Sequence, residues 1–268
     1  IGGDLTVSSR PDAFYLRANA PASGADRLLG LLGAVALTPA FPASEVELAK
    51  ENAIQELEAA EATPDYLASK AFATAVYGDH PYHVVSASRE TIDKTTPELL
   101  RKEHARRFRP DQALLVVAGD LDEAVTKAAI ARAFGAWKGE GAPLPPAPPS
   151  PDARGREIRL VDRPGSVQST IVAGRPGPAV NDPDWYDALV ANTIYADASV
   201  SRLFRNLRED KGYTYSPSGD FTSRRAGSLL EMQADVRNEV TAATLLEVFY
   251  ELDRMAATTP TPDELAGA

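Results

Sequence analysis

The side chains able to carry chemistry are few, and most are placed where they do none. Three histidines are present, His80, His83 and His104. His80 and His83 stand three apart, but Pro81 between them prevents two imidazoles from stacking on one helical face, so the stretch DHPYH reads as a structural loop. His104 lies among Arg101, Lys102, Arg106 and Arg107 and is expected on a solvated helix face. Ser166 and Ser169, in RPGSVQST, have no G-x-S-x-G elbow around them, which argues against a serine hydrolase. VVAGDLD has the look of a nucleotide-binding strand end. No G-x-G-x-x-G or G-K-[ST] follows it, and Asp120 or Asp122 reads better as a helix cap. The absence of cysteine removes thiolate nucleophiles, disulfides, zinc knuckles and iron–sulfur clusters.

The elements that must position any site follow from periodicity. Alternation over residues 12–20, with Phe14, Tyr15 and Leu16, predicts a strand. Helical spacing of leucines predicts a helix over 26–37, stopped by Thr38-Pro39. A long helix is expected over 44–62 with Ser44 as its N-cap, and another over 65–77 ended by Gly78. Thr96-Pro97-Glu98 opens a helix to 108. The apolar run 113–118 reads as a buried strand, and a further helix ends near Trp137. Beyond it, strands are expected over 157–161, 168–174, 213–216 and 228–236. Helices are expected over 183–196, 199–209 and 241–255, the last with Leu245, Leu246, Phe249 and Leu252 on one face.

Residues 141–155 hold Pro143, Pro145, Pro146, Pro148, Pro149 and Pro151, the composition of an extended, semi-rigid linker. They divide the 268 residues into a first domain over 1–140 and a second over 156–268. The halves are faintly self-similar: AFYLRANAPASGADRLLGLL and LLEMQADVRNEVTAATLLEVF are each a strand, a polar joint and an amphipathic helix. Each is followed by a proline-bearing turn and an acidic helix start. The first copy continues into a long helix and the second stops at Ala268, so the C-terminus is expected to be truncated. The opening IGGD begins in mid-pattern without Met, so the N-terminus is expected to be cut or processed. A net charge of −10 disfavours nucleic acid, which needs clustered Lys and Arg. The longest apolar stretch, 28–37, is too short to span a membrane. The sequence leaves the compartment, periplasmic or cytoplasmic, undecided.

Three blocks, in order, resemble the pitrilysin-type (insulinase-like) zinc peptidases, which include the mitochondrial processing peptidases. Residues 77–122 (YGDHPYHVVSASRETIDKTTPELLRKEHARRFRPDQALLVVAGDLD) are similar to their first domain. Residues 164–178 (PGSVQSTIVAGRPGP) and 201–229 (SRLFRNLREDKGYTYSPSGDFTSRRAGSL) are similar to their second. The resemblance implies an α+β fold of two similar domains, each an antiparallel sheet packed by helices, with two such halves enclosing a chamber. It implies zinc held by H-x-x-E-H and a downstream Glu, the intervening Glu acting as general base. That motif is absent from this chain. The downstream ligand position matches Glu56, but Ala49 stands where an acidic residue is expected. Glu56 is therefore read as a solvated helix glutamate, with metal ligation as the weaker alternative. No zinc is expected on this chain; the metal would sit in a homologous, zinc-bearing partner subunit.

By the same resemblance, a partner half supplies an Arg and a Tyr across the chamber, and these match Arg208 and Tyr215 in LREDKGYTY. Arg208 lies one turn after Phe204 at a helix end, Gly212 lets the chain reverse, and a short strand would lift Tyr213 and Tyr215 onto one face. Guanidinium and phenol could then converge on one peptide carbonyl and its oxyanion. Spacing alone would sooner have Arg208 pair with Glu209, Asp210 or a neighbouring helix and leave Tyr215 an ordinary strand aromatic; the match of the surrounding block turns the reading to the functional one. The expected function is a non-catalytic half of a heterodimeric zinc metalloendopeptidase that binds peptide substrate and is inactive alone. The alternatives are a fragment of a complete metallopeptidase whose zinc helix lies upstream, and a structural assembly subunit without proteolytic role.

Overall fold

The computed structural model describes residues 2–139, 144–152 and 155–268. In chain order its elements are β1 (Asp4–Ser9), β2 (Phe14–Asn19), α1 (Ala25–Leu37), α2 (Ala43–Glu61), α3 (Pro64–Tyr77), α4 (Arg89–Asp93), α5 (Pro97–Arg107) and α6 (Glu123–Phe134). They continue with β3 (Gln168–Gly177), α7 (Trp185–Asn192), α8 (Arg202–Phe204), β4 (Ser218–Arg224), β5 (Gly227–Arg237), α9 (Thr241–Ala257) and α10 (Pro262–Gly267). α7 and α8 each run on into a π-helical turn, Thr193–Asp197 and Arg205–Asp210. The class is α+β with small antiparallel sheets, as the resemblance implied.

Two compact units form. One joins Ile1–Glu56 with Ser88–Pro146, the other Leu57–Ala87 with Ala147–Ala268. A linear division at 141–155 would put 57–87 with the first domain, whereas these residues pack with the second unit. The reason is local: Gly174 of β3 has no side chain, and Phe72 of α3 comes so near that a Cβ there would meet its ring carbon at 2.9 Å. Within the linker, 141–143 and 153–154 lie outside the described residues. Ser150, between them, donates its backbone N–H to the Ala226 carbonyl in the second unit.

In the first unit β1 and β2 form an antiparallel hairpin, Asp4 opposite Asn19 and Ser9 opposite Phe14. α1 packs on α6, where Gly33 lies against Ala133, and Asp26 pairs with Arg132 across the two helices. Asp122 caps α6 by accepting the Val125 N–H at 2.8 Å, as its sequence position suggested. His104 departs from expectation. It is half-buried, stacks on Phe108 at 4.5 Å and donates Nε2–H to the Ala36 carbonyl at 2.8 Å. Arg106 and Arg107 pair with Glu103, Arg101 reaches the Ala40 and Phe41 carbonyls, and the imidazole turns inward.

Three expected strands and one cap do not form. Residues 113–118 and 157–161 join no ladder, and Leu114 and Leu160 are 88% and 91% exposed. An apolar run becomes a strand only where a neighbouring edge supplies hydrogen-bond partners, and neither one pairs with a described strand. Residues 213–216 are a loop. α2 starts at Ala43, one residue early, so Ser44 falls inside the first turn and the Pro42 carbonyl takes the Val46 N–H.

The second unit is built on a three-stranded sheet of order β3-β5-β4 with β5 central. Gln168 pairs with Arg237 at one end of β3, and Ser218 with Gln233 at the start of β4. Alternation along β5 sends Met232, Ala234 and Val236 into the core, where they meet Leu203 and Leu207 from α8 and its π turn and Val248 from α9. The opposite side of the sheet lies under α3. Its N-cap Thr63 accepts the Tyr66 N–H, and Asp65 takes hydrogen bonds from Gln233 and Thr170. His80 and His83 are structural, as expected. His80 Nδ1 accepts the Tyr82 N–H and Nε2 donates to the Pro148 carbonyl, while His83 Nδ1 donates to the His80 carbonyl.

Candidate functional site

The residues singled out in LREDKGYTY converge through an irregular backbone. Leu203 and Leu207 are both 0% exposed and pin one side of the segment in the core. Between them α8 loosens into the π turn Arg205–Asp210, which holds one residue more per turn than an α-helix. The Lys211 N–H closes on the Asn206 carbonyl at 3.1 Å and the Tyr213 N–H on the Leu207 carbonyl at 2.8 Å. Gly212, at φ +61°, then reverses the chain in a conformation that suits glycine.

Beyond the reversal the chain does not form the strand that sequence suggested, and the two tyrosines part company. Tyr213 packs against the core, Thr214 is buried, and Tyr215 is 77% exposed. The Arg208 guanidinium carbon sits 3.9 Å from the Tyr215 ring centroid and 5.9 Å from that of Phe204. Its Nη1–H donates to the Tyr215 backbone carbonyl at 2.9 Å. Among the described residues it forms no ion pair with Glu209 or Asp210. The result is a cation stacked on an aromatic face at the surface, with further N–H groups free of protein acceptors among the described residues and the phenol beside them.

Sequence reasoning missed what holds this segment. Asn206, buried, donates Nδ2–H to Glu251 Oε1 at 2.7 Å and to Glu247 Oε2 at 3.0 Å. Glu247 also meets Lys211 at 3.2 Å, and that contact raises the Lys211 ammonium pKa. Glu251 is 1% exposed and accepts Arg254 Nη1–H on both oxygens, at 2.9 and 2.8 Å. Burial, with the Glu251 charge second, pushes the Tyr195 phenol well above its ordinary range, so it stays protonated and donates to the Val248 carbonyl. Arg202, just ahead of the π turn, forms a bidentate pair with Glu264 at 2.7 and 3.0 Å and reaches Thr258 Oγ1 at 3.0 Å. Two signals were readable: acidic residues four apart within the apolar face of α9, and the capping-box pattern Thr261-x-x-Glu264.

The residues around Glu56 do not fit a zinc centre. Glu56 lies on the exposed side of α2. Among the described residues no group of three or more His, Cys, Asp or Glu side chains gathers to hold a metal ion. No described helix is long and apolar enough to cross a membrane.

A scaffold of two compact units in an α+β fold, with an Arg–Tyr surface pair and no group of metal ligands assembled among the described residues, is the class that these observations define. Residues 94–268 match the family described as the peptidase M16 inactive domain, and the chain belongs to that family. It is 24% identical over 218 residues to an uncharacterized zinc protease of Mycobacterium leprae, covering 81% of this chain and 49% of the relative. The chain therefore spans about half the length of this curated relative. Among solved structures, a peptidase M16 inactive domain from Pseudomonas fluorescens superimposes with a TM-score of 0.89 at 24% identity, covering 99% of this chain and 65% of that one. A protease from Helicobacter pylori superimposes with a TM-score of 0.90 at 18% identity, with the same coverages. At these identities the structural likeness speaks for the fold.

Proposed function

We propose that this chain belongs to the non-catalytic half of a two-subunit zinc metalloendopeptidase, where Arg208 and Tyr215 bind the backbone of an extended peptide. The zinc and its general base reside in a homologous partner subunit, which supplies the activated water. Arg208 and Tyr215 then orient the scissile carbonyl and donate hydrogen bonds to the oxyanion that develops on it. The observation that carries this reading is the stacked pair: a guanidinium 3.9 Å from an exposed tyrosine ring, in no ion pair with a carboxylate among the described residues. Stacking fixes the plane of the guanidinium while leaving donors directed outward, which is what preorganised recognition of a carbonyl requires.

The test is turnover of fluorescein-labelled casein by the full-length protein mixed with its zinc-bearing partner. Arg208→Ala and Tyr215→Phe are each expected to lower kcat/KM by about 100-fold or more, the range for a lost oxyanion donor. Unchanged turnover in both variants refutes the role. A second reading has its own support: the matched relatives are themselves called zinc proteases, and this chain covers only part of them. On that reading the zinc motif lies elsewhere in the same polypeptide. Zinc analysis of the full-length protein alone, with H-x-x-E-H in its sequence, would select it.

A further inference from the structure

We infer that Asn206 and Glu251 are a positioning pair that sets the direction of the Arg208 guanidinium, an inference that rests on the Arg208 role proposed above. A carboxylate at 1% exposure, held between a buried amide and the Arg254 guanidinium, is an expensive way to fill a core. Apolar residues of similar volume at such sites are often as stable or more so, so the use of a buried polar pair lies in the geometry it enforces. Here that geometry is a backbone register. Two carboxylates, Glu247 and Glu251, stand one turn apart on α9 and both accept from the single Asn206 amide, which fixes which end of that amide is nitrogen.

Asn206 meets them from within the π turn Arg205–Asp210, and Lys211, at the end of that turn, returns to Glu247. The turn is thus held to α9 at both of its ends. Arg208 follows two residues after Asn206. Were the turn to relax by one residue into regular α-helix, Arg208 would swing by roughly 100° about the axis and leave the Tyr215 ring. The insertion of a π turn at this point, tied down by a buried amide–carboxylate contact, turns the guanidinium onto the phenol.

Three variants of the full-length protein test this. Glu251→Met removes the acceptor and keeps the volume, Glu251→Gln keeps an acceptor for the Asn206 amide, and Asn206→Ala deletes the amide from the other side. The first readout is the Arg208 Nε–Hε resonance in arginine-labelled protein, shifted upfield by the tyrosine ring beneath it. We expect that shift to be lost in Glu251→Met and Asn206→Ala and retained in Glu251→Gln. The second is casein turnover with the zinc-bearing partner: Glu251→Met should lower kcat by about 10- to 100-fold with KM little changed, and should cost nothing further in an Arg208→Ala background.

An unmoved Arg208 resonance in Glu251→Met, or equal loss on top of Arg208→Ala, overturns the positioning role. Failure of both Glu251→Met and Asn206→Ala to fold overturns it as well, since the pair would then serve stability. If Arg208→Ala alone leaves turnover intact, the peptide-binding reading fails, while the resonance still decides whether the pair sets the guanidinium.

Discussion

Replacing Arg202 by Met should make the protein less stable at neutral pH and less sensitive to acid. Arg202 is 6% exposed and holds Glu264 through two parallel hydrogen bonds, with a third to Thr258. Those bonds, and secondly the Thr261 N–H of the capping box, pull the Glu264 carboxyl from 4.5 down to about 2. A carboxyl whose pKa is depressed on folding stabilises the native state fully above its unfolded value and loses that contribution as pH falls through the folded one. The window here runs from about 4.5 down to about 2. At roughly 1.4 kcal/mol per pKa unit the whole depression would be worth about 3 kcal/mol. The Glu264 side chain keeps 19% exposure, and solvent screening brings the share carried by Arg202 to about 1–2 kcal/mol. Methionine preserves the apolar stem, so charge rather than packing dominates the difference. Urea unfolding of both proteins at neutral pH and near pH 2 measures it, because carboxylates common to both cancel in the subtraction. The gap should be about 1–2 kcal/mol at neutral pH and shrink by more than half near pH 2, where the wild-type carboxyl is itself half protonated. A gap of equal size at both pH values would refute the electrostatic account.

Substitutions at two glycines probe the backbone of the second unit. Gly174→Ala would set a Cβ 1.9 Å from the Leu230 carbonyl and 2.9 Å from the Phe72 ring. Since β3 and β5 are hydrogen-bonded there, it should cost about 3 kcal/mol or more, read as a lowered urea midpoint. Gly212 sits at φ +61°, so Gly212→Ala should cost about 1 kcal/mol in urea unfolding, and Gly212→Asn, which tolerates the left-handed region, distinctly less. Equal losses for Ala and Asn would show that the position is closed by packing and not by backbone conformation.

The sequence by itself settled those parts of the molecule that are governed by neighbours along the chain. Periodicity and local caps located α1, α3, α5, α6, α9 and β5, because a buried stripe and a Thr or Asp at the right offset need nothing distant to be legible. The repeated strand, joint and helix appears twice, as β2–α1 and β5–α9, each followed by a second helix. Gly212 was legible as a chain reversal and Leu203 with Leu207 as a buried stripe. Whatever depended on partners far along the chain was decided by tertiary structure alone. The runs 113–118 and 157–161 have the composition of strands, yet β structure is completed by another edge, and among the described residues they have none. His104 turned inward because Phe108 gave it a ring to stack on and Phe41 meets it edge-on. The π turn left no trace in local propensity, for it exists where Asn206 meets Glu247 and Glu251, some forty residues on. That long-range hydrogen bonding, not the spacing of LREDKGYTY, is what brought Arg208 onto Tyr215: the sequence names both side chains, and only the packing of α9 on the turn sets the angle between them.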